Sequence, residues 1–126
     1  MPQFKISEAA TLLGVSDDTV RRWVDAGRLR SSGAGRRTVD GADLAAFAQQ
    51  QAHPPNAPGT SSARNRFTGL VTKVVTDTVM AQVELQCGPY RVVSLISAEA
   101  VAELGLEPGV LAVASVKSTN VVVELR

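Results

Sequence analysis

Two short clusters in the second half of the chain combine donors and cations without a carboxylate: Ser62-Ala63-Arg64-Asn65 and Lys117-Ser118-Thr119-Asn120. Hydroxyls, backbone amides, one guanidinium and one ammonium suit a fully ionised oxyanion, which can only accept hydrogen bonds. Hydrogen phosphate carries a proton that needs an acceptor, so an all-donor site discriminates against it. A plainer reading stays open on composition alone: Ser62 and Arg64 end a linker, and Lys117 is a solvated turn charge. A second set of candidates lies in the first half. Thr19, Arg21 and Arg22 follow Ser16 on a helix, and Arg36-Arg37 follow Ser32-Gly33-Ala34-Gly35. Polar side chains on the first turns of a helix, with paired arginines on a nearby loop, reach the bases and phosphates of duplex DNA. The bland alternative is a small helical domain with solvated arginines. Asp17 and Asp18 weigh against DNA unless the helix dipole offsets them.

The elements that position the first set are legible. Ser7 caps a helix with Glu8 in its first turn, and Gly14 stops it. Ser16 caps the next helix, Asp17 and Asp18 occupy its positive end, and Gly27 closes it. Val20, Trp23 and Val24 form one apolar stripe, which turns Asp18, Arg21, Arg22 and Asp25 outward. Two short helices joined by a glycine turn are a helix-turn-helix arrangement. Leu29 to Val39 reads as two short strands with Arg36 and Arg37 at the tip, placed as a wing. Asp40 then caps a third helix that buries Leu44 and Phe47.

Pro54, Pro55, Pro58 and Gly59 crowd one short stretch, which can be neither helix nor inner strand. The reading is therefore two small domains, residues 1–52 and 62–126, joined by a semi-stiff linker at 53–61. Alanine-rich helical spacing precedes the linker, and alternating valine and threonine follow it. Five strands are predicted beyond it: Phe67–Val75, Val79–Leu85, Tyr90–Ile96, Val110–Val116 and Val121–Leu125. A helix capped by Ser97 and ended by Gly105 interrupts them. The fold class is α+β, with a winged helix-turn-helix followed by a five-stranded OB-like barrel.

The bulk properties exclude several classes. Over 126 residues the formal net charge is only +1, so any affinity for DNA comes from a local basic cluster. The lone Cys87 excludes an internal disulfide framework and fits a reducing compartment. No apolar run approaches the ~18–20 residues of a membrane span, and the N-terminus lacks a signal-peptide core. A soluble, cytoplasmic protein is expected. His53 has no second metal ligand nearby, and Cys87 beside Gly88-Pro89 has no local His or Cys partner. No nucleophile–base pair or phosphate-cradling glycine loop supports an enzyme.

Specific motifs add to this reading. Phe4-Lys5-Ile6-Ser7-Glu8-Ala9-Ala10, Leu13-Gly14-Val15-Ser16, Thr19-Val20-Arg21-Arg22-Trp23 and Ala26-Gly27-Arg28-Leu29 resemble the excisionase/MerR-like winged helix-turn-helix family. Gly35-Arg36-Arg37 and Asp43-Leu44-Ala45-Ala46-Phe47 extend the match, which covers residues 3–51. The resemblance implies binding of double-stranded DNA through the second helix and wing. The long dimerisation helix of true MerR regulators is absent, which leaves dimerisation to the other half.

From Ser62 to Leu125 the chain resembles the molbindins, the TOBE-type oxyanion-binding domain also found in molybdate-responsive regulators and on some transporter ATPases. The matching pieces are Ser62-Ala63-Arg64-Asn65 with Gly69, Ser97-Ala98-Glu99, Glu103-Leu104-Gly105-Leu106, Pro108-Gly109 and Lys117-Ser118-Thr119-Asn120-Val121. This resemblance implies molybdate or tungstate bound at a subunit interface by Ser62, the Ala63 amide, Arg64, Ser97, Lys117 and Ser118. Ala100 departs from it, standing where related sequences can place another hydroxyl. The resemblance also implies a homo-oligomer, dimer or hexamer, assembled through residues 62–126. Three functions fit: an oxyanion-responsive transcription regulator, a molybdate store or buffer whose helical half is not regulatory, and an architectural DNA binder whose barrel only oligomerises.

Overall fold

Left-handed glycines follow the first two helices of the first half in the computed structural model, which describes residues 2–33, 36–52 and 61–126. Helix α1 (Ile6–Leu13) starts two residues earlier than a Ser7 cap would allow. Glu8 explains the difference. Its Oε1 accepts the Lys5 N–H at 2.9 Å, the reach-back half of a capping box, and so makes Lys5 the cap. Gly14, with φ of 71°, ends α1 and turns the chain toward α2 (Asp17–Asp25). Ser16 Oγ accepts the Thr19 N–H at 3.2 Å, which starts α2 above Asp17 and Asp18. Val20 of α2 and Ala9 and Ala10 of α1 share one buried cluster with Leu44 and Phe47 of α3 (Gly41–Gln51). Trp23 packs on Phe47 with ring centroids 4.9 Å apart, and Arg28 lies over both rings.

The stretch expected to form a wing is built differently. Its one cross-strand rung among the described residues is the Ser32–Thr38 bridge, and Ala34 and Gly35 lie outside those residues. Strand β2 (Thr38–Asp40) pairs instead with β1 (Gln3–Lys5), Phe4 opposite Val39. Burial is the reason: Val39 is fully buried and Phe4 packs on the same core, so pairing the two segments secures both. Gln3 Nε2 donates to Asp40 Oδ1 at 3.0 Å. Asp40 therefore precedes α3 by position, without the side-chain capping bond that its type suggests.

The chain divides into two compact units, Met1–Pro54 and Pro55–Arg126. Apart from Ser61, the proline-rich linker at 53–61, with His53, lies outside the described residues. The second unit runs β3 (Asn65–Thr76), β4 (Met80–Cys87), β5 (Tyr90–Ser97), α4 (Ala98–Leu104) and β6 (Leu111–Val116), then a 3₁₀ turn at Ser118–Asn120. These strands form one antiparallel sheet in the order β5-β4-β3-β6. Alternation along β4 sends Ala81, Val83, Leu85 and Cys87 inward, where they meet Val71 and Val101. A register shift between Val71 and Lys73 bends β3, which lets the sheet curl over this core. At Gly69 an added Cβ would lie 2.5 Å from Gln86 O and 2.6 Å from Cys87 Sγ, so glycine is what lets β3 cross β4 this closely.

The sequence pattern predicts five strands here, and four form. Val121–Leu125 pairs with nothing among the described residues; Val122, Val123 and Leu125 are 81, 87 and 99% exposed. A strand needs a neighbour's N–H and C=O groups, and α4 and its flanking turns have carried β6 to the far edge of the sheet. The single chain is thus an open, curled four-stranded sheet rather than a closed barrel.

Two carboxylates bind the β4 end of this sheet to its neighbours. Buried Glu84 pairs with Arg91 of β5, whose hydrogen bond and charge hold its carboxyl below the usual range against the opposing effect of burial. Asp77 Oδ1 accepts the Met80 and Val79 N–H groups at 2.7 and 2.8 Å, which holds that carboxyl low as well. A depressed folded pKa contributes stability that is complete above the unfolded value and lost as pH falls through the folded one. Thermal stability should therefore drop in acid below about pH 4.3, the ordinary glutamate value. Melting curves of the Glu84→Gln, Asp77→Asn double variant should show a shallower acid drop. An acid drop as steep as the parent's would clear both groups of the effect.

Candidate oxyanion and nucleic-acid sites

In the first unit, Lys5, Arg21, Asp25, Arg36 and Arg37 line one polar cleft of about 530 Å³, together with Ser7, Ile6 and Asp17. Three of the five residues read from sequence as DNA contacts, Arg21, Arg36 and Arg37, thus share a surface. Lys5 is a fourth cation that the sequence reading omits; its position in the β1–β2 pair, which brings it there, depends on a tertiary contact. Two of the arginines are tied to carboxylates. Arg37 Nη1 lies 2.7 Å from Asp25 Oδ1, and Arg21 Nη1 lies 3.0 Å from Asp18 Oδ1, all four side chains about half exposed or more. Thr19 and Arg22 are engaged with each other: Arg22 Nη2 donates to Thr19 Oγ1 at 3.2 Å, and that hydroxyl also meets Ser16 Oγ at 2.8 Å.

The second unit brings the two donor clusters side by side. Asn65 stands opposite Val116 in the β3–β6 ladder, and Asn65 Nδ2 donates to Val116 O at 3.1 Å. Ser62-Ala63-Arg64 runs into β3 at the rung where β6 runs out into Lys117-Ser118. Lys117 O accepts the Asn120 N–H at 2.9 Å, which folds the second cluster into its 3₁₀ turn. Ser62, Arg64, Lys117 and Ser118 are exposed. Among the described residues neither Arg64 nor Lys117 has a carboxylate partner; Arg64 Nη1 makes a long bond of 3.4 Å to Ser61 O.

Two of the sequence-predicted residues sit otherwise. The Ala63 N–H, expected to face a ligand, donates to Ser61 Oγ at 3.1 Å, so Ser61 occupies that donor. Ser97 ends β5 opposite Met80, at the other end of the strands from Asn65, with the full run of β3 between. One chain therefore does not gather Ser97 with Arg64 and Lys117. Ser97 Oγ accepts the Ala100 N–H at 3.0 Å as the cap of α4 and retains its own hydrogen to donate. Among the described residues no group of three or more His, Cys, Asp or Glu side chains could hold a metal ion, and no helix is long and apolar enough to cross a membrane.

A helix pair closed by a glycine turn, followed by a curled antiparallel sheet, defines the class: a helix-turn-helix unit joined to a small domain of OB-like kind. A family model of the TOBE domain matches residues 61–123, half of the chain, and the protein belongs to the TOBE-domain family. A helix-turn-helix domain model matches residues 4–52. Among solved structures, a molybdate binding protein from Sporomusa ovata is 33% identical over 52% of this chain and 98% of its own, with a TM-score of 0.51. MopII from Clostridium pasteurianum is 37% identical over 52% of this chain and 100% of its own, TM-score 0.49. The cytoplasmic molybdate-binding protein ModG, in a form with molybdate bound, is 40% identical over 54% of this chain and 49% of its own, TM-score 0.49. No curated protein matches the chain.

Proposed function

We propose that the protein is a cytoplasmic, non-enzymatic transcription regulator: the helix-turn-helix unit binds duplex DNA, and the second unit binds molybdate or tungstate between chains. One observation carries the reading. The Asn65–Val116 rung sets Ser62-Ala63-Arg64 beside Lys117-Ser118, and neither cluster contains a carboxylate. Two cations and several hydroxyl donors at one sheet end neutralise a tetrahedral dianion and satisfy its oxygens. The similarity to the Sporomusa ovata molybdate binding protein supports the choice of anion. Binding frees the Ala63 N–H from Ser61. Ser97, at the opposite end of the sheet, joins the site from a second chain, as the interface reading requires.

Oligomerisation through residues 62–126 belongs to the same proposal. Strands β5 and β6 are open edges, an apolar cleft of about 330 Å³ lies among Val83, Leu85, Val92, Ile96, Leu106 and Ala114, and Val121–Leu125 has no cover. Assembly as a dimer or hexamer places several helix-turn-helix heads on one scaffold, where avidity raises modest individual affinities.

Calorimetric titration of the ligand-free protein with molybdate and with tungstate tests the anion. Selection from random duplex DNA tests the regulator. Phosphate contacts dominate such binding, so affinity should fall on the order of 10³-fold between 50 and 200 mM salt if about six phosphates are neutralised. Replacing Arg21 and Arg22 together, or Arg36 and Arg37 together, should weaken binding without unfolding the chain. Asp25→Asn, which frees Arg37 of its counter-charge, should strengthen it. A selection that enriches no DNA at low salt, with the anion still bound, would leave the protein a molybdate store.

A further inference from the structure

Arg66 is the one residue whose buried polar side-chain atom lacks a partner among the described residues: its Nε is sealed from solvent and bonds to nothing. Native structures rarely leave a buried donor unmet, and where they do, an ion or ligand is a common reason. Its place in the fold is specific. Arg66 opposes Ser115, one rung along from Asn65–Val116, so it stands two residues from Arg64 in sequence and two from Lys117 across the ladder. Alternation along β3 sets Arg66 on the opposite side from Asn65, and Arg64 immediately precedes the strand.

We propose that Arg66 is a third cationic ligand of the oxyanion held by the two donor clusters. The proposal rests on the oxyanion reading above and adds a charge to it. Three cations with no carboxylate in either cluster overcompensate a dianion. The site therefore rejects monoanions of the same shape more strongly than two cations would. The guanidinium also supplies a planar pair of donors that a lysine cannot reproduce.

The test uses the full-length protein and two tetrahedral anions of similar size, tungstate (a dianion) and perrhenate (a monoanion), titrated by calorimetry. Arg66→Gln should bind tungstate roughly tenfold more weakly or worse, while perrhenate loses much less, so that discrimination between the two narrows. Arg66→Lys should keep most of that discrimination but bind tungstate several-fold more weakly; it also decides the matter if Arg66→Gln fails to fold. Variants that bind both anions as the parent does would overturn the proposal. So would a loss of tungstate affinity that tracks loss of the oligomer and returns at protein concentrations that restore it, which makes Arg66 an interface residue. Arg64→Ala run in parallel separates the two levels. If the parent binds and Arg64→Ala does not, unchanged Arg66 variants dismiss Arg66 alone; if the parent binds neither anion, the site itself is dismissed.

Discussion

Arg64→Ala should lower the affinity for molybdate by roughly ten- to a hundredfold, and Lys117→Ala should do the same. A charged hydrogen bond in a site closed from water contributes on the order of 1.5–3 kcal/mol, and each of these side chains supplies at least one. Both stand at the ends of elements fixed by the β3–β6 ladder, so their removal leaves the sheet intact. Neither is committed to a carboxylate in the chain as described, so ligand binding breaks no ion pair of theirs. Sulfate, which is smaller, should bind more weakly, and so should phosphate, because the two clusters offer its proton no carboxylate acceptor. Because a ligand held between chains favours the assembled state, saturating molybdate should also raise the melting temperature. Titration calorimetry and thermal melts read all of these. Arg64→Ala binding as tightly as the parent, or no thermal shift at millimolar molybdate, would remove the site from this sheet end.

What the sequence made legible divides by the range of the interactions involved. Ser16, Gly14, Ser97 and Gly105 act on neighbours within a few residues, and each caps or ends the helix that its type suggests. Glu8 is local too, yet its reach back to the Lys5 amide moves the start of α1 ahead of Ser7, because that bond satisfies an N-terminal donor without a hydroxyl cap. The β1–β2 pair is harder to read: Gln3–Lys5 is too short to show strand alternation, and only the burial of Val39 and Phe4 explains it. Arg21, Arg22, Arg36 and Arg37 are legible as candidate DNA contacts, whereas the Asp25–Arg37 pair depends on where the loop after Ser32 returns to α2. In the second half, alternation identified β3 to β6 correctly, while the curl depends on a register shift and on Gly69 passing close to Gln86 and Cys87. The fifth strand is the instructive difference. Val121–Leu125 has the composition of a strand, but composition does not supply the neighbouring edge that a strand needs.

That segment carries the second large expectation. Removing residues 121–126, or replacing Val123 with Asp, should dissociate the oligomer by at least about a hundredfold in its dissociation constant. Burying a Val or Leu side chain fully contributes about 1.5–3 kcal/mol, against about 1–2 kcal/mol for fixing the backbone of each residue. Val121, Val123 and Leu125 share one side of an extended chain, so burying all three roughly offsets the cost of ordering the segment, and the backbone hydrogen bonds of an accepting sheet edge tip the balance toward assembly. The open β5 and β6 edges and the apolar cleft lined by Val83, Val92 and Ala114 offer that acceptance, in a partner chain. A buried aspartate at position 123 would instead be a charge without a partner. Val122 alternates to the other side, so Val122→Thr should leave assembly nearly unchanged, which separates strand burial from general hydrophobicity. Light scattering at micromolar protein, with and without molybdate, measures each case. A monomeric parent would sink the interface altogether, and an oligomer that survives Val123→Asp would place its contacts elsewhere on residues 62–126.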